Sequence, residues 1–153
     1  MSSLQANKKS VEKLVQGLDD AFNSQDLDGV MSFFDEGSIY DEFDGVRHIG
    51  KEAIRKAFEP QFRGEFGRLI FHKEDLFIEA TGPGTGKVMF RWLLTMEEDG
   101  RAGGWRGLDI LRFENGKLKE KHTYAKSRSP LVEKLSDSER VRKAVDDGIL
   151  LDI

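Results

Sequence analysis

Two adjacent acidic residues, Asp41 and Glu42, lie in the middle of the segment SIYDEFDG, residues 38–45, whose Ile39, Tyr40 and Phe43 are typical of a β-strand. Strands rarely contain Asp or Glu, because a carboxylate taken out of water costs free energy unless a partner satisfies it. Successive side chains of a strand point to opposite faces, so Glu42 shares a face with Tyr40 while Asp41 lies on the other. The spacing predicts a solvated Asp41. It leaves Glu42 as a candidate base if its face borders a pocket.

A third carboxylate, Asp109, lies in the segment GGWRGLDILRF. Period-two spacing places it in a row that otherwise contains glycine and apolar residues: Trp105, Gly107, Leu111 and Phe113. If that row faces inward, Asp109 is a buried carboxyl group with a raised pKa. Gly107 beside it would leave room for a ligand.

Aromatic side chains and a histidine are candidates for lining the same pocket. Phe58 and Phe62 belong to a predicted helix, while His122 and Tyr124 share one face of the predicted last strand. The predicted substrate-binding set is therefore Tyr40, Phe58, Phe62, Trp105, His122 and Tyr124.

Each candidate also has a purely structural interpretation. Asp109 could pair with Arg91 or Arg106, because ion-pair networks perturb pKa values as catalytic sites do. His122 could be a satisfied structural histidine, and Trp105 a core or interface aromatic. Glu42 could belong to a solvated acidic cluster, whose other members would be Asp35, Glu36, Asp41 and Asp44.

Three helices are predicted ahead of the main run of strands. Ser10 is a suitable N-cap for the first, and Asp26 can cap a second, shorter helix that ends before Gly37. The segment GKEAIRKAFEPQF predicts a third helix that stops near Pro60. Residues 1–9 are predicted to form a flexible arm. The apolar residues of the first helix recur at helical spacing: Val11, Leu14, Val15, Leu18 and Phe22.

From about residue 66 the pattern alternates with period two, in four segments separated by Gly-containing turns: RLIFHKEDLFIEA, KVMFRWLLTME, GGWRGLDILRF and KLKEKHTYAK. Four strands with short connections predict an antiparallel meander. Helices followed by strands predict an α+β domain in which the helices cover one face of a curved sheet. Ser136 and Glu139 form a capping-box pattern, so residues 129–153 are predicted to add a helical C-terminal extension.

Composition narrows the function classes. The 153 residues suffice for one domain, and a net charge of −4 with interspersed signs argues against nucleic-acid binding. The absence of cysteine excludes thiolate catalysis and Cys-based metal sites. The three histidines lack the spacing of a helical metal pair, so no metal is predicted. No apolar run predicts a membrane span or a secretion signal, so the predicted location is the cytoplasm.

The order of these motifs resembles the nuclear transport factor two-like superfamily. The segments that carry the resemblance are SQDLDGVMSFFDEGSIYDEFDG, the helix start GKEAI, and GLDILRFENGKLKEKHTYA. The SnoaL-like and ketosteroid isomerase-like branches are the most similar. The resemblance implies, over residues 10–128, a cone-shaped α+β barrel of the cystatin-like type, with three N-terminal helices packed on a strongly bent, mainly antiparallel sheet. It also implies an apolar pocket for a small hydrophobic molecule, a homodimer and no cofactor.

The resemblance further implies roles for individual residues. The base of the isomerases, in a context like TVEDPVG, falls on Glu42. Their protonated Asp, in a context like IDHFRFNGAGKV, falls on Asp109, which would donate a hydrogen bond to a developing enolate. Their oxyanion-hole Tyr falls on Leu18, which has no donor. The side chains that could replace it are Tyr40, His122 and Tyr124.

Other branches of the superfamily fit less well. Cyclases and epoxide hydrolases tend to carry an acidic residue on the last strand, and the comparable position is Thr123. The expected function is therefore a cofactor-independent isomerase or cyclase that uses carboxylate acid/base chemistry on a small carbonyl-bearing hydrophobic substrate. The alternative is a non-catalytic module of the same fold for ligand binding or dimerisation.

Overall fold

A computed structural model describes residues 2–98 and 101–126 of the chain. The helices are α1 (Ser3–Asn23), α2 (Leu27–Met31) and α3 (Lys51–Phe62). The strands are β1 (Ile39–Asp41), β2 (Arg47–Ile49), β3 (Arg68–Gly82), β4 (Thr85–Glu98), β5 (Arg101–Glu114) and β6 (Lys117–Ala125). The predicted helical extension over residues 129–153 lies outside the described residues.

α1 begins at Ser3, earlier than the predicted N-cap at Ser10 allows. Ser2 caps it instead: its hydroxyl accepts from the backbone N–H of Gln5, and the Gln5 side chain accepts from the N–H of Ser2. This capping box makes residues 3–9 helical, so the prediction of a flexible arm there is wrong. The predicted apolar stripe is largely buried, with the least exposed positions at Val11, Val15, Leu18 and Phe22.

The two shorter helices follow the predictions in part. The Asp26 side chain accepts from the N–H of Gly29, which confirms the cap of α2, but α2 ends at Met31 and not just before Gly37. α3 includes Pro60, which removes one hydrogen bond in the last turn without stopping the helix. Within the described part of the chain, none of the helices is both long and apolar enough to cross a membrane.

All six strands form one sheet, in the order β2-β1-β6-β5-β4-β3. β3 to β6 pair antiparallel in sequence order, which confirms the predicted meander. β1 pairs in parallel with β6 and antiparallel with β2. Helices packed on a curved, mostly antiparallel sheet make this an α+β fold, as predicted. Its core lies between α1, α3 and the inner face of the sheet.

An irregularity between β5 and β6 decides which side chains of β6 face the core. Leu118 and Glu120 pair with consecutive residues of β5, so Lys119 is an extra residue on β6. A bulge of this kind reverses the alternation of a strand. Leu118 and Lys121 are consequently both buried. Beyond the bulge the inward positions are 121, 123 and 125.

Candidate active site

A cavity of about 370 Å³ lies between α3 and the inner face of the sheet. Most of its wall is apolar and aromatic, including Phe22, Phe58, Leu69, Phe71, Trp92, Leu94, Met96 and Trp105. Six polar side chains also line it: Tyr40, Glu42, Asp44, Gln61, Lys121 and Thr123. A mainly apolar cavity with a few converging polar groups has the make-up of a small-molecule site.

Glu42 lies at the turn that joins β1 to β2. Its N–H donates to the carbonyl of Val46, and its carbonyl accepts from the N–H of Gly45, each at 2.9 Å. This turn directs the carboxylate to the cavity wall, where Oε2 is 3.5 Å from Nε2 of His48. Glu42 thus lies in the pocket where the sequence predicted a base.

Asp41 faces away from the cavity, as the strand alternation predicted. Nε of Arg47 donates to its carboxylate at 2.6 Å, and Nδ1 of His122 is also 2.6 Å away. The Arg47 hydrogen bonds, with a further contribution from His122, hold the pKa of Asp41 below its usual value. Asp35 pairs separately with Lys119. The acidic residues around Glu42 therefore do not form one solvated cluster.

Asp109 is buried, and both of its oxygens accept hydrogen bonds. Oδ1 accepts from Nζ of Lys121 at 2.8 Å and from the hydroxyl of Thr123 at 2.6 Å, while Oδ2 accepts from the indole N–H of Trp92 at 3.1 Å. All three neighbours donate, so both oxygens of Asp109 are occupied as acceptors. The expectation that Asp109 donates a hydrogen bond to a ligand is therefore corrected.

The position of Asp109 also differs from the prediction. It does not line the large cavity but a small neighbouring one of about 20 Å³ between α1 and the sheet. Its partner is neither Arg91 nor Arg106, which pair with Asp75 and Glu74. The buried ion pair that was left open as an alternative exists, with a lysine in place of an arginine.

Lys121 is the functional candidate that the sequence did not single out. Its side chain is only 7% exposed, it lines both cavities, and Nζ lies 4.9 Å from the centre of the Tyr40 ring. An ammonium group has three N–H donors. Nζ donates to Asp109 and Thr123, which leaves one donor for a ligand.

A signal for Lys121 was present in the strand pairing. Asp109 lies opposite Thr123 across the β5–β6 ladder, and directly paired residues share a face. A buried Asp109 therefore requires Thr123 to face inward, and Lys121, two residues earlier, must do the same. The alternating lysines of KLKEKHTYAK are typical of a solvent-exposed strand face, so the pattern did not indicate that Lys121 is buried.

His122 and Tyr124 face outward, so the prediction that they line the pocket is wrong. Because the bulge at Lys119 turns positions 121, 123 and 125 inward, the alternate positions point to the other face. His122 contacts Asp41 there, with Nε2 3.4 Å from Oε1 of Glu120. Tyr124 is 58% exposed.

The predicted aromatic residues occupy the cavity unevenly. Tyr40, Phe58 and Trp105 line it, while Phe62 packs against Phe22, with 5.8 Å between ring centres, and is not part of the wall. Gly107 does not leave room for a ligand, because a Cβ there would lie 2.4 Å from Cη2 of Trp92. The indole fills that space.

Tyr40 is nearly inaccessible to solvent and stays protonated. Its burial, followed by the negative charges of Glu42 and Asp109, raises the pKa of its hydroxyl well above the usual value. A neutral phenol at the cavity wall is a further donor for an oxygen atom of a ligand. Within the described ranges, no group of three or more His, Asp or Glu residues is placed to hold a metal ion.

A profile of the SnoaL-like domain matches residues 15–121, which is more than half of the chain. The chain belongs to the SnoaL-like family. The matched region of this SnoaL-like protein includes Glu42, Asp109 and Lys121. No curated protein matches its sequence at a significant level.

Solved structures share the fold of this SnoaL-like protein at low sequence identity. An NTF2-like protein of unknown function from Mesorhizobium loti has a TM-score of 0.64 and 19% identity, covering 78% of this chain and 93% of its own. A candidate polyketide cyclase from Xanthomonas campestris has a TM-score of 0.61 and 20% identity, covering 86% of this chain and 96% of its own. A Mycobacterium tuberculosis protein in complex with estradiol-17β-hemisuccinate has a TM-score of 0.62 and 18% identity, covering 75% of this chain and 92% of its own. These structures confirm the predicted fold, and the profile match confirms the predicted resemblance to SnoaL-like proteins.

Proposed function

We propose that this SnoaL-like protein is a cofactor-independent enzyme that moves a proton at the carbon beside a carbonyl group of a small hydrophobic molecule. One observation carries the proposal: Glu42 and Lys121 line the same apolar cavity. Proton abstraction beside a carbonyl needs a base at the C–H bond and a positive or hydrogen-donating group at the oxygen, in a site that excludes water.

In this mechanism Glu42 takes the proton and the substrate becomes an enolate. The free N–H of Lys121 donates to the enolate oxygen, and its charge stabilises the negative charge that develops there. Removing a donor of this kind commonly costs about 2.7–4 kcal/mol of transition-state stabilisation. Asp109 and Thr123 hold the ammonium in place, so Asp109 supports the oxygen site and does not itself donate.

The cavity favours a flat, apolar substrate. Its volume falls within the range of roughly 300–1,000 Å³ that is usual for small-molecule sites. Its aromatic walls suit one or two fused rings. A structure of the same fold holds estradiol-17β-hemisuccinate, a larger fused-ring ester that is mainly apolar, which supports an apolar, ring-containing ligand.

Deuterium exchange tests the proposal. The bicyclic ketone β-tetralone is incubated in deuterium oxide with the protein, and loss of its α-proton signals is followed by NMR. We expect Glu42→Gln to slow the catalysed exchange by at least about a hundredfold, because a positioned base typically contributes that much. Glu52→Gln is the matched control, since Glu52 is 85% exposed on α3. Equal rates for wild type and Glu42→Gln would remove Glu42 from the mechanism.

A non-catalytic binding module remains the second candidate, and the aromatic lining of the cavity favours it. β-Naphthol, a planar analogue of the tetralone enolate, distinguishes the two. Tight binding of β-naphthol by fluorescence, together with no catalysed exchange of β-tetralone by wild type, would support the binding module and contradict the enzyme.

We also propose a homodimer that forms through the outer face of the sheet. Phe77, Met89 and Ile110 are cross-strand neighbours on that face. Phe77 is 59% and Ile110 40% exposed. An exposed apolar patch of this kind marks a surface for protein association.

A further inference from the structure

His48 lies directly beside the proposed base. It is the central residue of β2, where the strand register places it opposite Tyr40, and its ring stacks on the Tyr40 ring with 5.8 Å between centres. Its Nε2 is 3.5 Å from Oε2 of Glu42. This nitrogen is buried, yet it forms no hydrogen bond with any residue that the structure describes.

Glu42 needs such a partner. It is a long side chain whose rotations must be fixed if the carboxylate is to meet a C–H bond, and a misplacement of about 1 Å can cost roughly a hundredfold in rate. Within residues 2–98 and 101–126, His48 is the only group that pairs with its carboxylate. A hydrogen bond that is long in an empty site commonly shortens when a ligand is bound.

We propose that His48 is a positioning residue for Glu42. The neutral imidazole carries its proton on Nε2 and donates it to Oε2 of Glu42, which leaves Oε1 free to take the proton of the substrate. The inference rests on the proposed function, because it assigns His48 a task only if Glu42 is the base. It also assigns a partner to this buried nitrogen, namely the carboxylate 3.5 Å away.

The competing explanation is that His48 only packs against Tyr40. Two substitutions separate these roles. His48→Phe keeps a ring to stack on Tyr40 but has no donor, whereas His48→Gln places an amide N–H close to the position of Nε2 but has no ring. His72→Phe is the matched control, because His72 is exposed and bonds to the Thr95 hydroxyl on the outer face.

The experiment measures β-tetralone exchange at saturating ketone and β-naphthol affinity for each variant. We expect His48→Phe to lower the exchange rate at least about tenfold with unchanged naphthol affinity, because only the placement of the base is lost. His48→Gln should recover most of the rate, and His72→Phe should match wild type. Full activity of His48→Phe, or equal losses for His48→Phe and His48→Gln, would overturn the positioning role.

A second measurement needs no variant at His48. Nitrogen NMR of histidine-labelled wild type should show the neutral His48 ring protonated on Nε2, and a ring protonated on Nδ1 would contradict the proposal. The two proposals also fail differently. If Glu42→Gln exchanges protons at the wild-type rate, the proposed function is wrong. If Glu42→Gln loses exchange while His48→Phe keeps full activity, only the positioning role of His48 is wrong.

Discussion

At the scale of single residues, the charge pair of Asp109 and Lys121 governs the site. Less than a tenth of either side chain is exposed, and the pair separates the large cavity from the small one. Burying charges is costly unless each has a partner and further hydrogen bonds, which Thr123 and Trp92 supply here. The pair holds the Lys121 side chain at the cavity wall.

Breaking this pair should destabilise the protein strongly. We expect Asp109→Asn to lower the free energy of unfolding by about 3–5 kcal/mol, because it leaves the Lys121 ammonium buried without its counter-charge. Adding Lys121→Met should restore part of the loss. Urea unfolding measures both, with Asp75→Asn as the control, since the half-exposed Asp75–Arg91 pair should contribute less than about 1 kcal/mol. If Asp109→Asn and Asp75→Asn lower the free energy of unfolding by the same small amount, the predicted importance of the buried pair is wrong.

The same double variant tests the role of Lys121 in binding. Asp109→Asn with Lys121→Met removes the cation without leaving a buried charge, so a folded protein is expected. Its affinity for β-naphthol should fall, because the donor to the ligand oxygen is lost. Fluorescence titration against wild type measures this, and unchanged affinity would remove Lys121 from the oxygen site.

At the scale of elements, β6 separates what the sequence predicts from what it does not. The meander, the three helices and the inward row of Asp109 follow from spacing alone, because alternation and helical periodicity are local properties. Spacing does not predict which side chains of β6 face inward, because the extra residue at Lys119 reverses the alternation. No residue type in the segment indicates a bulge. The same local event turned His122 and Tyr124 outward and brought Lys121 to the site. Glu42 was predictable because it directly follows β1, whose pairing has no bulge.

α1 carries a carboxylate whose titration should be visible in stability. Asp19 lines the small cavity, and burial, with the charge of Asp20 adding to it, raises its pKa from 3.8 to about 6. The folded state therefore binds the proton more tightly than the unfolded state, so this group makes stability fall as pH rises from 3.8 to about 6. Asp19→Asn should be more stable than wild type above that window and equal to it below. Urea unfolding across the window measures the difference, and a difference independent of pH would contradict the shift.

At the scale of the whole molecule, the two proposals assign separate tasks to the two faces of the sheet. The inner face forms the cavity with α1 and α3, while the outer face carries ion pairs and the stripe of Phe77, Met89 and Ile110. The proposed ligand chemistry and the proposed subunit association would therefore depend on different residues. This separation suits a fold that occurs with many different functions.

Association through the outer face should depend on the stripe. We expect Ile110→Lys to convert a dimer to a monomer in light scattering, because it places a charge within an apolar contact. Ile49→Lys is the control, since Ile49 is equally apolar and 65% exposed but lies on β2, away from the stripe. An unchanged mass for Ile110→Lys, or a monomeric wild type, would contradict the proposed dimer.

We propose that Glu42 and Lys121 act on one ligand in one cavity. The most direct test is a crystal structure with β-naphthol bound. We predict that the naphthol oxygen lies within about 3.2 Å of Nζ of Lys121, at hydrogen-bond distance, and that the ring carbon next to the hydroxyl faces the Glu42 carboxylate. A naphthol whose oxygen points to the cavity mouth, or that binds outside the cavity, would contradict a joint role of Glu42 and Lys121.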